Sequence, residues 1–217
     1  MSKYDQEYYL PFAAMDDSKL FVGMDKKSAM RRGGHKKLNL VDGPMFFHNA
    51  YKEEDKKEGI KLPIPDIMLI SREMIIPSDM MKFLRNFNIP GIQVFPAVYI
   101  DDDDNWHENL SVIHCYKRLD CLDFDKSVID DDLEYWEDGD DHTVDKPSLS
   151  ETALNAIPED ERLIFKIDKL DGLHIFFHQR IVDYIREMKY TGVHFIKVAD
   201  FEEGMQNHEG FDGVTTY

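Results

Sequence analysis

The sequence predicts an α+β fold in which helices pack on a mixed or antiparallel sheet. Of its 217 residues, 42% are hydrophobic and 12% aromatic, which is enough to build a sizeable core. Apolar strand-like runs and amphipathic helical segments both occur along the chain. They do not alternate regularly enough for a doubly wound parallel sheet, so an α+β arrangement is expected instead.

A strand–helix–strand unit is predicted before the middle of the chain. Residues 67–70 (IMLI) form a continuous apolar run typical of a buried strand. Residues 77–79 (PSD) are a helix-start signal. The apolar residues that follow have the spacing of one helical face: Met80, Met81, Phe83, Leu84 and Phe87. Residues 90–91 (PG) end the helix, and residues 92–100 are predicted to form a strand with a break at Pro96.

The same layout recurs near the C-terminus. Residues 173–177 predict a buried strand, and one helical face follows it: Ile181, Val182, Ile185 and Met188. Gly192 closes this helix as Gly91 closes the first, and residues 193–198 predict the next strand. The recurrence suggests a strand–helix–strand pseudo-repeat. Residues 163–167 predict a further strand between the two units.

The remaining segments differ in composition from these units. Residues 1–61 mix tyrosines, short apolar pieces and bases, and they form either an N-terminal extension or part of the same domain as residues 62–203. Within them, residues 51–59 predict a polar connection or a short helix without a core face. Residues 204–217 contain three glycines and little periodicity, so a loosely ordered tail is expected there.

The sequence lacks the usual signs of export and of membrane insertion. Its first ten residues, MSKYDQEYYL, lack the basic and apolar regions of a secretory signal. No apolar run approaches the ~18–20 residues needed to span a bilayer. Cys115 and Cys121 provide no disulfide framework. A cytoplasmic protein is therefore expected.

The charge of the chain is large and uneven. The formal net charge is −17 and the pI is near 4.8. Nucleic acids and anionic membranes select basic surfaces, so neither is expected as a partner. Residues 96–145, the acidic stretch, hold 17 acidic and 3 basic residues, a net charge of −14. A surface of this kind favours fast encounter with a basic protein.

Aromatic residues accompany three acidic clusters within the acidic stretch. Trp and Tyr are frequent at interface hot spots, and neighbouring carboxylates would steer a cationic partner. The sequence thus predicts a protein-binding surface, here called the acidic face, with these members: Asp101, Asp102, Asp103, Asp104, Trp106, Asp130, Asp131, Asp132, Glu134, Tyr135, Trp136, Glu137, Asp138, Asp140 and Asp141. Solvated loops are the alternative interpretation of the same charge runs.

Motifs for catalysis, metal binding and cofactor binding are missing from the sequence. There is no GxSxG, SxxK, kinase, Rossmann, Walker or HExxH signature. An EF-hand loop starting at Asp101 would need glycine at its sixth position and glutamate at its twelfth, where Trp106 and Val112 stand. No catalytic residue, metal or cofactor is therefore predicted, and the protein is not expected to be an enzyme.

Four pieces of the sequence carry a resemblance to a known family. They are residues 65–67 (PDI) with 70–72 (ISR), residues 90–96 (PGIQVFP), residues 119–127 (LDCLDFDKS), and residues 163–167 (LIFKI) with 192–195 (GVHF). In this order they resemble segments of a bacterial immunity-protein family of polymorphic toxin systems, the eleventh numbered immunity family, also known as a domain of unknown function. The resemblance covers residues 62 to about 203.

The resemblance implies an inhibitor rather than a catalyst. Proteins of this family are similar to antitoxins that protect the producing cell by binding a cognate toxin tightly, and the family supplies no catalytic residues. The expected partner is then a cognate toxin, basic enough to be met by the acidic face. Two alternatives stay open: an enzyme that reverses a toxin's modification, and an acidic nucleic-acid mimic that inhibits a DNA-binding enzyme.

Overall fold

The structure, a computed structural model, describes residues 1–13, 20–31, 36–70, 73–129, 142–170 and 175–205. The described residues form two main sheets together with several helices, which confirms the predicted α+β class. The strands are β1 (Tyr8–Phe12), β2 (Val22–Met24), β3 (Met45–Asn49), β4 (Met68–Ile70), β5 (Glu73–Pro77), β6 (Ile92–Ile100), β7 (Trp106–Cys115), β8 (Arg118–Leu119), β9 (Val128–Ile129), β10 (Val144–Lys146), β11 (Ile164–Ile167), β12 (Phe176–His178) and β13 (His194–Lys197). The helices are α1 (Lys26–Arg31), α2 (Lys52–Glu58), α3 (Ser78–Leu84), α4 (Glu151–Asn155) and α5 (Gln179–Glu187).

Six strands form the larger sheet, in the order β2-β3-β6-β7-β5-β4. Neighbours are antiparallel except β3 and β6, which run parallel. The two edge strands, β2 and β4, approach each other, so the sheet curls around an apolar interior. The largest side chains of this interior are fully buried: Met45, Phe47, Met68, Phe95 and Tyr99.

Five strands form the second sheet, in the order β13-β1-β12-β11-β8. β1 lies between β12 and β13 and is antiparallel to both, with Tyr8 opposite His178 and Leu10 opposite Ile196. One face of this sheet packs into a second core, which includes Tyr8, Leu10, Phe165, Phe176 and Phe201. Residues 1–61 are therefore built into both sheets, because they supply β1 to this sheet and β2 and β3 to the larger one.

The two predicted strand–helix–strand units have the same topology. In each, an antiparallel hairpin (β4-β5 or β11-β12) leads into a helix (α3 or α5), and the helix leads into a further strand (β6 or β13). The strands before and after the helix are parallel to each other, and one antiparallel strand, β7 or β1, lies between them. The suggested repeat is thus visible as two units of equal strand order.

The helices of the two units pack against each other. Phe83 of α3 stacks on Tyr184 of α5, with ring centroids 3.8 Å apart and planes inclined by 2°. Both helices share one apolar core with a face of each sheet, and three residues of the predicted inner face of α5 are buried there: Ile181, Val182 and Ile185. The fourth predicted member, Met188, follows the end of α5 and is exposed. Apolar periodicity of this kind is what orients a helix on a sheet.

A glycine with positive φ follows the helix of each unit, at Gly91 (φ 89°) and Gly192 (φ 94°). A Cβ atom at Gly192 would lie 2.2 Å from the carbonyl oxygen of Ile67, so no side chain fits there. The Ile67 N–H donates to the Thr191 carbonyl at 3.0 Å, and the Thr191 hydroxyl donates to the Asp66 carboxylate at 2.8 Å. These contacts join the second unit to the start of the first.

Two predicted boundaries are wrong. β6 is not broken at Pro96, which stays in the strand opposite Ser111. Pairing with β3 begins one residue later, at Ala97, and a residue without an N–H group is tolerated where a ladder ends. α3 ends at Leu84, one turn before Phe87. Residues 171–174, which include the start of the predicted strand at 173–177, and residues 206–217, most of the predicted tail, lie outside the described residues. Within the described residues, every helix is too short or too polar to cross a membrane.

Candidate protein-binding site at the acidic hairpin

The described part of the acidic face lies at one place, the turn between β6 and β7. This turn, residues 101–105, is here called the hairpin tip, and Trp106 is the first residue of β7. The other predicted members lie outside the described residues: Asp130, Asp131, Asp132, Glu134, Tyr135, Trp136, Glu137, Asp138, Asp140 and Asp141. The geometry of the site is therefore that of the hairpin tip and its neighbours.

Asp101 organises the hairpin tip from within. Its carboxylate accepts the backbone N–H groups of Asp103 (2.9 Å) and Asn105 (2.8 Å) and faces Nε2 of His107 at 3.0 Å. Burial opposes ionisation, but hydrogen bonds from His107 and Asn105 outweigh it and hold the pKa of the Asp101 carboxyl below its usual range. Asp101 is thus a structural member of the turn rather than a free surface charge.

Asp102 is held against the end of β3 by Asn49. Its Oδ2 accepts the side-chain amide of Asn49 at 3.2 Å, and the same amide donates to Asp55 at 2.7 Å. Oδ1 of Asp102 is buried without a hydrogen-bond partner in the described residues. Burial raises the pKa of the Tyr99 phenol, and the carboxylates of Asp102 and Asp101 raise it further. Asp102 therefore adds negative potential to the interior end of the site.

Asp103 and Asp104 point outward and carry lysine partners. Lys61 lies 2.6 Å from Asp103, and Lys52 lies 2.6 Å from Asp104. The side chains of Asp103 and Asp104 are 59% and 77% exposed, so both carboxylates are solvated. The Lys61–Asp103 pair is exposed on both sides and therefore weak, whereas Lys52 is largely covered and also donates to the Asp101 carbonyl. The hydrogen bond to Asp104 raises the pKa of Lys52. The tip is therefore less negative than its four aspartates imply, and its exposed carboxylates stay accessible to another cation.

Three exposed aromatic side chains surround the hairpin tip. Trp106 is 58% exposed and rests edge-on against Phe46, with ring centroids 5.5 Å apart. Phe21 and Tyr51, 45% and 51% exposed, form an edge-to-face pair at 5.4 Å beside Lys52. Trp106 is a predicted member of the acidic face, whereas no sequence pattern points to Phe21 or Tyr51. Only long-range pairing brings them here, because β2 and β3 place them at the same end of the sheet.

This arrangement suits contact with a protein. Exposed aromatic rings beside solvated carboxylates supply apolar area and electrostatic steering together. Among the residues that the structure describes, no group of three or more metal-ligating side chains is close enough to hold an ion. Asp101 and Asp102 are held by hydrogen bonds within the site, whereas Asp103, Asp104 and Trp106 are exposed at its surface.

Outside the hairpin tip, the buried side chain of His114 has two structural partners. His114 of β7 lies between the Glu73 carboxylate (2.8 Å) and the Lys36 carbonyl (2.9 Å). It thereby fastens the chain at Lys36 to the larger sheet. Burial raises the pKa of the thiols of Cys115 and Cys121 to about 12, which keeps them protonated and unreactive.

Compared with known proteins, the chain matches no family model and no curated protein.

Proposed function

We propose that this protein is an immunity protein that binds a cognate bacterial toxin and occludes its active site or substrate cleft. The observation that carries the proposal is the concentration of charge: a net −14 in residues 96–145, with aromatic residues among the carboxylates. The resemblance of residues 62–203 to an immunity-protein family supports the same function. On this proposal the protein acts by binding, in the cytoplasm, and needs no cofactor.

The charge favours a toxin with a cationic cleft. An enzyme that acts on nucleic acid or another phosphate-bearing substrate must present lysines and arginines to it. Carboxylates on an inhibitor can occupy the same positions as the phosphates. They also raise the association rate by long-range attraction, which weakens as salt is added.

The hairpin tip has the rigidity that such an inhibitor needs. Asp101 fixes the turn through its hydrogen bonds to the backbone, so Asp103 and Asp104 are held in place before the toxin arrives. A preorganised surface loses less conformational entropy on binding. Lys61 and Lys52 occupy the exposed carboxylates in the free protein, and the cations of the toxin would replace them there.

Trp106 is the expected anchor of the contact. An indole buries about 200 Å² when fully covered, and 58% of Trp106 is exposed in the free protein. Covering it would contribute about 3 kcal/mol at about 25 cal/mol per Å². Trp106→Ala should therefore accelerate dissociation of the toxin by about a hundredfold, because that energy is lost mainly from the bound state.

The test begins with the gene next to the one for this protein, which should encode a toxin. Co-expression should restore growth to cells that make the toxin, at no less than one immunity protein per toxin molecule. Protection at far lower ratios would identify an enzyme that repairs the toxin's target and would contradict the proposal. A failure to protect, together with no binding to the toxin, would overturn it.

Charge-neutralised variants test the face itself. Asp103→Asn/Asp104→Asn should slow association with the toxin and flatten its salt dependence. Asparagine suits the positive φ of 64° at residue 104, so the turn should be kept. Glu187→Gln/Asp200→Asn removes the same charge from exposed positions elsewhere and is the matched control. Equal association rates for the two double variants would refute the hairpin tip as the binding surface while leaving the immunity function to the co-expression test.

A further inference from the structure

We propose that the protein has a second interaction surface, basic rather than acidic, which binds an acidic protein segment that carries apolar side chains. It consists of α1 and the 3-10 turn at Leu40–Asp42, here called the basic patch, with these members: Lys26, Lys27, Met30, Arg31, Leu40 and Val41. It goes beyond the proposed function, because a basic toxin drawn to the acidic face would be repelled here.

The first observation is the exposure of three large apolar residues in one place. Met30 is 77% exposed, Leu40 66% and Val41 89%. Single exposed apolar residues are common on protein surfaces and need no explanation, but a group of them marks a contact site. Met30 lies with Lys26, Lys27, Arg31 and Asp42 around a shallow hollow. Leu40 and Val41 are outside this lining but directly precede Asp42, whose carbonyl accepts a hydrogen bond from Arg31 of α1.

The second observation is that the backbone beneath the basic patch is held firmly. The guanidinium of Arg31 donates to the carbonyl oxygens of Asp42 (2.8 Å), Gly43 (2.9 Å) and Pro44 (2.6 Å). The Asn39 side chain caps the turn by accepting the Val41 N–H at 3.2 Å. Leu40 and Val41 are thus fixed in an outward position. A surface ordered in advance loses little entropy when a partner covers it.

The third observation is the charge around these apolar residues. Lys26, Lys27 and Arg31 border the hollow together with one carboxylate, Asp42, so the lining is cationic on balance, and neither lysine ammonium group forms an ion pair within the described residues. The segment 1–61 as a whole has 12 basic and 10 acidic residues, in a chain whose net charge is −17. Cations with no internal partner, beside exposed aliphatic side chains, complement a segment in which acidic and aliphatic residues alternate.

The net charge of the chain favours a peptide over a larger polyanion. A membrane or a nucleic acid would bring an extended negative surface against a protein of net charge −17, and the repulsion would act over the whole molecule. A short acidic segment meets only the local cations, because repulsion beyond about 8 Å is screened at physiological salt. The occupant is therefore assigned as a protein segment.

The test uses the full chain and a synthetic peptide that alternates pairs of glutamate with pairs of leucine. Amide chemical shifts should move on titration at Lys26–Arg31 and at Leu40–Asp42, and saturate below about 1 mM peptide. Leu40→Ser/Val41→Ser and Lys26→Glu/Lys27→Glu should each weaken binding about tenfold or more, since each removes one of the two complementary features. Lys56→Glu/Lys57→Glu, on the exposed face of α2, is the matched control.

Any of the following results would overturn the proposal. Shift changes elsewhere, or none at all, would mean that the basic patch does not bind this chemistry. Equal binding of a peptide with serine in place of leucine would reduce the patch to non-specific charge attraction. Binding of phosphatidylserine–phosphatidylcholine vesicles in preference to the peptide would assign the patch to a membrane surface. Thermal unfolding of each variant shows that the effects do not arise from loss of the fold.

Discussion

Replacing Gly192 with alanine tests whether the turn after α5 holds the two units together. Gly192 has a φ of 94°, and an added Cβ would meet the Ile67 carbonyl oxygen at 2.2 Å and the Pro65 Cβ at 2.6 Å. The obstacle is backbone on one side and a rigid ring on the other, so neither can move aside without shifting the strand that follows. Gly192→Ala should therefore push residues 65–67 away from Thr191 and break their hydrogen bonds.

The expected loss follows from two contributions. A left-handed conformation costs an L-residue about 1–2 kcal/mol, and overpacking typically costs about 1–3 kcal/mol more. The sum, about 4 kcal/mol, is a large fraction of the about 5–15 kcal/mol that stabilises a domain. Gly59→Ala is the matched control, because Gly59 has a φ of 70° with no atom within 4 Å of its added Cβ. It should lose only about 1 kcal/mol.

Urea unfolding followed by circular dichroism measures both variants. With a slope of about 2 kcal/mol per molar urea, Gly192→Ala should lower the midpoint by about 2 M and Gly59→Ala by about 0.5 M. Equal midpoints for the two variants would show that the contact between Gly192 and Ile67 does not constrain the fold.

Three further predictions concern buried and structural groups. Asp5→Ala should lower the free energy of unfolding by about 3 kcal/mol in urea titrations, because Ser2, Ser148 and Leu149 lose their buried acceptor. Because the pKa of Asp101 is lowered in the fold, its ionised carboxylate contributes stability above the unfolded value of 3.8, and this contribution is lost as the pH falls below that value. Asp101→Asn should therefore make the free energy of unfolding less dependent on pH in that range, and an unchanged profile would contradict this. Cys121, which is buried, and Cys115, which is partly buried, have pKa values raised to about 12 and should resist iodoacetamide at pH 8 in the native state but react in urea; fast native labelling, followed by mass spectrometry, would contradict the raised pKa values.

Local patterns of the sequence predict much of the repeated units but miss β5, the strand that directly precedes α3. The apolar run at residues 67–70 and the helical spacing around Met80 depend only on neighbours in sequence, and β4 and α3 lie where they predict. The matching glycines at residues 91 and 192 also mark the equivalent turns. Pro96 was misjudged because its effect depends on where β3 stops pairing, which no local pattern shows.

The candidate site was only partly visible in the sequence. The run of aspartates at residues 101–104 is obvious, but its lysine partners lie 42 and 52 residues away in the chain. Their pairing with Asp103 and Asp104 arises from the parallel alignment of β3 with β6, which carries α2 to the hairpin tip. Charge counting therefore overstated the local potential, and it could not separate the inward Asp101 from the outward Asp104.

The position of β1 determines how late in synthesis the second sheet can form. Tyr9 bonds to Gln179, 170 residues later, so the second sheet cannot close until almost the whole chain has left the ribosome. At about 5–20 residues per second, β1 waits roughly ten to thirty seconds for its neighbours, with its apolar side chains uncovered. On the proposed function, a cell would be protected by copies already folded rather than by copies made after the attack.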